Sequence, residues 1–389
     1  MLLRIENTPR DYAWGSTTAI AELLGSRPSG GPEAELWLGD HPGSPARIVD
    51  GAGDPEGASD LHALLRARGE HLPFLLKVLA AAEPLSLQAH PTIAQAREGY
   101  ARENAAGIAL DDPSRNYKDE LHKPELIYAL SDPFIALAGF RPVTEARAEL
   151  ARVKEPCVND LVERLSGDAA LADVVAWLLE GGNEIAHIAQ ALADVAGPER
   201  DDDPHGTWAT VRRLADHYPG DPGIVLSTLM HTVVLRPGEA LYLPTGNIHS
   251  YQQGLAIEVM AASDNVLRGG LTPKHVDVPE LMRVLDTRPV AEPRIIPTQV
   301  APGVHRFEPD VVDFALTVIE PEGARAGVDV AAPTAAIVLC LDGRVTLDGH
   351  LVLERGQAAF SDEAVVRVTG DGRVVVATGD HPAAADPPG

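Results

Sequence analysis

The chain is 389 residues long, 45% of its residues are hydrophobic and 23% are charged, and its formal net charge is −25. This length allows two or three domains, each with its own core, and this composition is typical of a folded globular protein. The strong negative charge disfavours binding to nucleic acid or to an anionic membrane surface, and no stretch approaches the ~20 apolar residues of a membrane span.

The two cysteines, Cys157 and Cys340, lie far apart and in no spacing typical of a metal or redox site. Such cysteines indicate free thiols in a reducing compartment. The first residues, MLLRIENTPRDYAWG, contain no apolar segment of signal-peptide length. We therefore expect a cytoplasmic protein, and we favour a monomer.

Three kinds of pattern follow one another along the chain. Residues 1–142 predict short strands and turns with helical patches between them. Over residues 143–223 the apolar residues recur at helical spacing, and the Gly-Gly pair in LADVVAWLLEGGNEIAHIAQALADV predicts a break between two helices. Strand patterns resume over residues 224–288. Residues 289–389 begin with a Pro-rich linker, RPVAEPRIIPTQVAPG, and continue as strands and turns.

Polar side chains recur at every second residue in three predicted strands, so in each strand they share one face. They are Ser86, Gln88 and His90 in PLSLQAHP, Lys123 and Glu125 in HKPELIYAL, and His249 and Tyr251 in NIHSY. A polar face flanked by apolar residues indicates a functional site.

A fourth pattern runs from Gly238 through Pro244 and Gly246 to His249. It resembles the second conserved box of the cupin superfamily, in which a tight turn leads into a strand that aims a histidine into a β-barrel. Such a histidine can bind a divalent metal. The alternative is an ordinary core histidine with its hydrogen bonds satisfied.

Longer motifs extend this resemblance to one family. The chain resembles the type I phosphomannose isomerase family over nearly its whole length, in DYAWGS, AELWLGDHP, LPFLLKVLAAAEPLSLQAHP, NYKDELHKPELIYAL, GFRP, LPTGNIHSY and EVMAASDNVLRGGLTPKHVDV. It implies a mainly β protein with a helical insert: a cupin-like jelly-roll catalytic domain that binds zinc (1–142 and 224–288), an all-helical insert domain (143–223) and a second, C-terminal jelly roll without metal (289–389).

The resemblance also implies the site residues. One zinc ion (Zn2+) per chain would be held by Gln88, His90, Glu125 and His249, a nitrogen and oxygen donor set that also fits manganese or cobalt. Arg268 would be the active-site arginine. His41 and His122 would not be ligands.

The implied reaction interconverts mannose 6-phosphate and fructose 6-phosphate by proton transfer between C1 and C2 through an enediolate. The candidates for holding this sugar phosphate are Ser86, Lys123, Arg268 and Lys274, and those for proton transfer are Asp264, Tyr251 and Lys123. Lys77, within LPFLLKVLA, is either catalytic or an edge residue whose ammonium reaches water.

Three alternatives remain at this level. A different cupin metalloenzyme, such as an iron dioxygenase, usually has three histidines and one glutamate. A sugar-binding protein without catalysis would have no use for lysine and arginine around a metal. The run SDNVLRGGLTPK would serve equally as a structural loop. In the C-terminal region, LERGQAAFSDEAVV echoes the metal box without its histidine, and the remaining histidines are scattered; they are His305, His350 and His381.

Overall fold

The computed structural model describes residues 1–49, 57–197 and 203–379. Two antiparallel sheets of ten strands each dominate it, so the prediction of a mainly β protein is confirmed. The strands are β1 Leu2–Glu6, β2 Glu35–Leu38, β3 Arg47–Ile48, β4 Phe74–Ala81, β5 Gln88–Ala89, β6 Glu125–Ala129, β7 Phe134–Phe140, β8 Met230–Leu235, β9 Ala240–Leu243, β10 His249–Ala261, β11 Leu267–Arg268, β12 Arg294–Ile295, β13 Thr298–Ala301, β14 Val304–Phe307, β15 Ala315–Ile319, β16 Val328–Ala331, β17 Ala336–Leu347, β18 Leu351–Glu354, β19 Ala358–Ser361 and β20 Val365–Thr378.

Helices connect several of these strands. They are α1 Ala19–Leu24, α2 Leu61–Ala67, α3 Ile93–Ala105, α4 Val143–Leu150, α5 Pro156–Arg164, α6 Leu171–Glu180, α7 Asn183–Val195, α8 Thr207–His217, α9 Pro222–Ser227, α10 Val278–Val284 and α11 Pro321–Ala326, with a short 3-10 helix at Asp168–Ala170. Within the described ranges, no helix combines the length and apolarity that crossing a membrane would require.

The first sheet, sheet I, contains β2 and β4 to β12 and is organised around β10. One half of β10 pairs with β5 and β7, and the other half pairs with β4 and β6. The change occurs at Gly254, where a Cβ atom would come within 2.9 Å of the Phe134 Cα atom. This long strand therefore joins two groups of strands, and it brings the residues at its start close to those of β5 and β6.

Strand β4 shows how the sequence alternation builds two surfaces. Leu76, Val78 and Ala80 point into the core that sheet I shares with the second sheet. Leu79 and Ala81 point to the opposite face, into an apolar cluster around Tyr251. Because side chains alternate along a strand, Lys77 lies on this inner face.

Helices α4 to α9 follow one another between β7 and β8. Their apolar faces form one cluster with residues of the sheet I loops, including Leu87 and Leu271. The predicted break in this region is confirmed, because α6 ends at Glu180 and α7 begins at Asn183, and the two glycines between them have positive φ angles. The predicted helical span 143–223 includes residues 198–202, which lie outside the described residues.

The second sheet, sheet II, contains β13 to β20 and, unexpectedly, β1 and β3. Strand β1 pairs with β19, so that Leu3 lies opposite Phe360. The sequence prediction placed all of residues 1–142 with the catalytic strands, and it differs from this arrangement because pairing between distant strands leaves no local signal. The last residues of the predicted C-terminal domain, 380–389, lie outside the described part.

The two sheets pack face to face through one large apolar cluster. Sheet I contributes residues such as Phe74 and Ile257, and sheet II contributes residues such as Phe307, Leu316 and Phe360. These side chains are almost completely buried. The outer face of the site-bearing sheet is therefore covered by the C-terminal strands.

Candidate metal centre

Three buried side chains converge inside sheet I: His90 just after β5, Glu125 at the start of β6 and His249 at the start of β10. The Nε2 atom of His90 lies 3.2 Å from Oε1 of Glu125, and Nε2 of His249 lies 3.2 Å from Oε2 of the same carboxylate. All three potential ligand atoms lie within 4.8 Å of one another. A single divalent ion can be bound by donors this close together.

The turn before β10 brings the two histidines together. Gly246 has a φ angle of 80°, in the left-handed region that favours glycine. Its amide donates to the carbonyl oxygen of His90 at 2.8 Å. A Cβ atom at Gly246 would come within 3.1 Å of the Val284 carbonyl oxygen. The glycine of the sequence pattern is thus needed for the contact that sets His249 beside His90.

Backbone carbonyl oxygens fix the tautomer of both imidazoles. Nδ1 of His90 lies 2.7 Å from the carbonyl oxygen of Asn265, and Nδ1 of His249 lies 3.1 Å from that of Asn247. Because a carbonyl only accepts, Nδ1 carries the hydrogen in each ring and Nε2 keeps its lone pair. Both Nε2 atoms are buried without a hydrogen bond. Two lone pairs facing a carboxylate form an arrangement suited to a cation.

The protonation states of these groups agree with metal binding. Burial, together with the positive charge of Lys123, lowers the pKa of His90 to about 4, so the ring is neutral at pH 7. Burial alone would raise the pKa of Glu125, but the positive charge of Lys123, whose ammonium contacts the carboxylate, holds it well below its usual value. His90 and Glu125 are therefore in the neutral and ionised forms, respectively, that bind metals.

Gln88 lies beside this cluster on β5. In the strand ladder it is paired with His249 on one side and with Arg268 on the other. Directly paired residues of antiparallel strands present their side chains on the same face. The half-buried amide of Gln88 is thus next to His249, on the face that carries Arg268.

Two further predicted residues contact the carboxylate of Glu125. The ammonium of Lys123 donates to Oε1 at 2.6 Å, and the hydroxyl of Tyr251 donates to Oε2 at 2.9 Å. Burial and the neighbouring carboxylates raise the pKa of Tyr251 well above its usual value, so the phenol keeps its proton. The two predicted pairs therefore belong to one buried network: Lys123 with Glu125, and His249 with Tyr251.

A second buried group, of which the sequence analysis had singled out only Lys77, lies on the same inner face. Nζ of Lys77 is 3.0 Å from Oε2 of Glu258 and 3.9 Å from Oε1 of Glu35. It also lies 5.1 Å from the centroid of the Trp37 ring. Lys77 is only 6% exposed, so the alternative of an edge lysine reaching water is wrong. A charge inside each of two apolar runs, at Lys77 and Glu258, was the available signal.

The remaining predicted residues lie nearer the surface. Arg268 is half-buried, and its guanidinium has no hydrogen bond or ion pair among the described residues. Burial and the charge of Arg268 lower the pKa of the exposed Lys274. Ser86 is half-buried, two residues before Gln88. These residues leave cationic groups available at the end of the site where Arg268 adjoins Gln88.

Asp264 is placed differently from the buried network. It is exposed, and its carboxylate lies 3.1 Å from Nε2 of His41. His122 in turn lies 2.9 Å from the carboxylate of Asp313. His41 and His122 thus have carboxylate partners of their own, and neither is in the group around Glu125.

The sequence reasoning also missed two residues beside the site. The buried side chain of Asn265 accepts from the backbone amide of Lys118 at 2.7 Å and donates to the carbonyl oxygen of Leu121 at 2.8 Å. Burial, together with the charges of Arg115 and Arg268, lowers the pKa of Lys118. The motif SDN adjacent to the arginine motif was the signal, since a buried asparagine is rarely without a structural role.

Comparison with known proteins connects these features with one family. Residues 2–143 match the family model described as "Phosphomannose isomerase type I, catalytic domain". The chain is 38% identical to mannose-6-phosphate isomerase of Escherichia coli (strain K12), over 95% of this chain and 98% of that protein. It is 31% identical to the Homo sapiens protein of the same name, over 90% of this chain and 91% of that one. A crystal structure of zinc-bound mannose 6-phosphate isomerase has a TM-score of 0.86 and 35% identity, covering 98% of this chain and 100% of that one.

Proposed function

The chain belongs to the mannose-6-phosphate isomerase family, and on that premise we propose that it is a zinc-dependent enzyme interconverting mannose 6-phosphate and fructose 6-phosphate. The observation that carries this proposal is the pair of unprotonated, buried Nε2 atoms of His90 and His249, which face the carboxylate of Glu125. Buried polar atoms without partners are rare, so their convergence argues for a bound cation.

The donor set supports zinc as that cation. We assign His90, His249, Glu125 and the amide oxygen of Gln88 as its ligands, because zinc binds imidazole nitrogen and oxygen donors. The carbonyl oxygens of Asn265 and Asn247 hold the rings in the required tautomer. Lys123 and Tyr251 each donate a hydrogen bond to the carboxylate of Glu125, which favours its ionised form. The affinity for zinc thus depends on these hydrogen bonds, which orient the ligands before the metal binds.

The reaction moves a proton between C1 and C2 through an enediolate, whose negative charge must be stabilised. A zinc ion at this site would supply a Lewis acid for the sugar oxygens. Lys123 and Tyr251 are buried groups that contact the proposed ligand Glu125 and carry transferable protons. Asp264 is exposed, and its carboxylate contacts His41. We propose these three as the candidates for proton transfer.

The phosphate group is assigned to the cationic end of the site. Arg268 has a half-buried guanidinium without a partner in the described part of the chain, and such a group favours an anion. Lys274 lies close enough for Arg268 to depress its pKa. Ser86, two residues before Gln88 along the chain, would add a hydroxyl. A net charge of −25 makes this local excess of cations necessary for binding a phosphorylated sugar.

We propose the domain arrangement on the same premise. The strands of residues 1–142 and 224–288 that lie in sheet I would form the cupin-like catalytic jelly roll, residues 143–223 the helical insert, and residues 289–389 a second jelly roll without metal. The segment LERGQAAFSDEAVV, which echoes the metal box, supports the absence of metal from the second jelly roll. Its strand β19 ends at Ser361, and the segment contains no histidine that could bind a metal. We also propose that the protein is cytoplasmic, in keeping with its free cysteines, and that it is monomeric.

The proposal is tested by metal removal and assay. Purified protein should convert mannose 6-phosphate to fructose 6-phosphate in a coupled assay, lose this activity after prolonged chelation, and regain it with zinc. Elemental analysis should find about one zinc per chain, because the described residues offer one such group of donors. Full activity in protein confirmed to be free of metal would refute the metal assignment. Binding of hexose 6-phosphates without turnover would refute the assigned reaction.

A further inference from the structure

Two hydrogen bonds join the helical region to the segments that carry the assigned phosphate ligands. We call residues 218–223 the clamp segment and residues 268–274 the anion loop. The hydroxyl of Tyr218 donates to the carbonyl oxygen of Pro84 at 3.0 Å, two residues before Ser86. Oδ1 of Asp221 accepts from the backbone amide of Leu271 at 2.9 Å, between Arg268 and Lys274.

The anion loop turns at the point where Asp221 binds it. Gly270 has a φ angle of 120° and Leu271 a φ angle of 53°. A leucine in the left-handed region is strained, and it stays there only when its surroundings hold it. A Cβ atom at Gly270 would come within 2.8 Å of Oδ1 of Asp221, so the carboxylate lies directly against the turn.

Asp221 itself is held from the other side. The same Oδ1 atom accepts from the amide of Gly223 at 2.7 Å, which makes Asp221 the N-cap of α9. A cleft of about 440 Å³ separates the clamp segment from Thr272 and Pro273 farther along the anion loop. The outer part of the loop therefore borders this cleft, and Asp221 and the burial of Leu271 hold its middle in place.

The first residues of the anion loop are hydrogen-bonded to the segment that contains Ser86 and Leu87. The amide of Gly269 donates to the carbonyl oxygen of Leu87, and the amide of Leu87 donates to the carbonyl oxygen of Gly270. Ser86 and Arg268 thus belong to two paired segments. The clamp segment contacts both segments: Tyr218 binds the segment of Ser86 at Pro84, and Asp221 binds the anion loop at Leu271.

We propose that Asp221, assisted by Tyr218, is a positioning residue that sets the geometry of the phosphate-binding groups Arg268, Lys274 and Ser86. The inference rests on the proposed function, which assigns these groups to phosphate. Without the acceptor at Asp221, Leu271 leaves its strained conformation and Arg268 and Lys274 lose their fixed spacing. The helical region then contributes to substrate binding without touching the substrate.

The test compares Asp221→Ala with Asp221→Asn in zinc-loaded protein. Asparagine keeps the Oδ1 acceptor, whereas alanine removes it. Calorimetric titration with inorganic phosphate should give a Kd roughly tenfold higher for Asp221→Ala, and the KM for mannose 6-phosphate should rise by a similar factor, with kcat within about threefold. Asp221→Asn should restore both values to near those of the unchanged protein, and the zinc content should be the same in all variants.

A matched control separates positioning from helix capping. Asp60 caps α2 in the same way, accepting from the amide of Ala63 at 2.8 Å. Asp60→Ala should lower the Tm without changing the Kd for phosphate. If Asp221→Ala does not fold, Tyr218→Phe, which removes only the hydroxyl, should raise the same Kd severalfold, and an unchanged Kd in that variant would then overturn the inference.

Arg268→Ala provides the reference for phosphate binding. Weaker phosphate binding in both Arg268→Ala and Asp221→Ala supports the inference. Weaker binding in Arg268→Ala alone overturns the positioning role and leaves the phosphate assignment intact. Unchanged binding in both overturns the phosphate assignment and the inference together.

Discussion

At the scale of single residues, Asn265 connects more of the site than any ligand does. Its carbonyl oxygen accepts from Nδ1 of His90, and its side chain holds the backbone of Lys118 and Leu121, which leads into Glu125. The backbone of Asn265 thus orients one proposed ligand, while its buried side chain fixes both its own backbone and the path of the chain towards another ligand. Groups in this position typically change metal affinity by 10- to 100-fold when altered.

We therefore expect Asn265→Ala to raise the Kd for zinc by about 10- to 100-fold, measured by competition with a chelator of known affinity. The protein should remain folded, because the ligands themselves are retained. Asn7→Ala is a suitable control, since Asn7 also ties separate segments together, donating to the carbonyl oxygens of Trp37 and Ser44. Equal zinc affinity in the two variants would contradict a specific role for Asn265.

At the scale of elements, β4 and β10 bring opposite charges together inside an apolar sheet. Register pairs Lys77 with Glu258, and their side chains form an ion pair at 3.0 Å with almost no exposure. A buried pair of this kind contributes little net stability while both partners are present, but the loss of one leaves an unpaired charge.

Lys77→Met should accordingly destabilise the protein by about 3 to 5 kcal/mol, and the double variant Lys77→Met with Glu258→Gln should recover part of this loss. Urea unfolding of the zinc-loaded proteins measures both values. A double variant as unstable as the sum of the two single variants would show that the charges do not interact.

The strand spacing explains how much of these elements the sequence could predict. A single residue separates the members of each pair, Pro124 between Lys123 and Glu125 and Ser250 between His249 and Tyr251, and a period of two is sufficient to put each pair on one face. Glu258 lies in the run LAIEVMA, whose other residues are apolar on both faces of the strand. The sequence alone therefore could not show that its side chain points to the inner face of the sheet, where Lys77 lies. The contact between Asp221 and Leu271 depends on packing between a helix and a loop, and no local pattern encodes it.

At the scale of the whole molecule, the core is shared between the two sheets. Phe74 and Ile257 of sheet I pack in the same cluster as Phe307, Leu316 and Phe360 of sheet II. Sheet II also contains β1, which loses its partner β19 if the C-terminal strands are absent. The two sheets therefore depend on each other for stability.

A chain ending after residue 295 should consequently fail to form a stable fold, since it exposes a large apolar face of sheet I. We expect it to be insoluble, or to lack a cooperative thermal transition, whether zinc is supplied or not. Circular dichroism with thermal scanning measures this. A soluble fragment with cooperative unfolding would contradict the shared core and would support an independent catalytic domain.

The pairing of β1 with β19 also has a consequence for how the protein is made. Leu2 lies opposite Ser361 in the finished sheet, so the first strand leaves the ribosome long before its partner exists. At ordinary rates of synthesis this interval is roughly 20 to 70 s. During that time the backbone groups of β1 have one neighbour at most, the short β3. Sheet II therefore closes only after β19 has been synthesised, and a nascent chain of this protein needs protection from aggregation until that strand emerges.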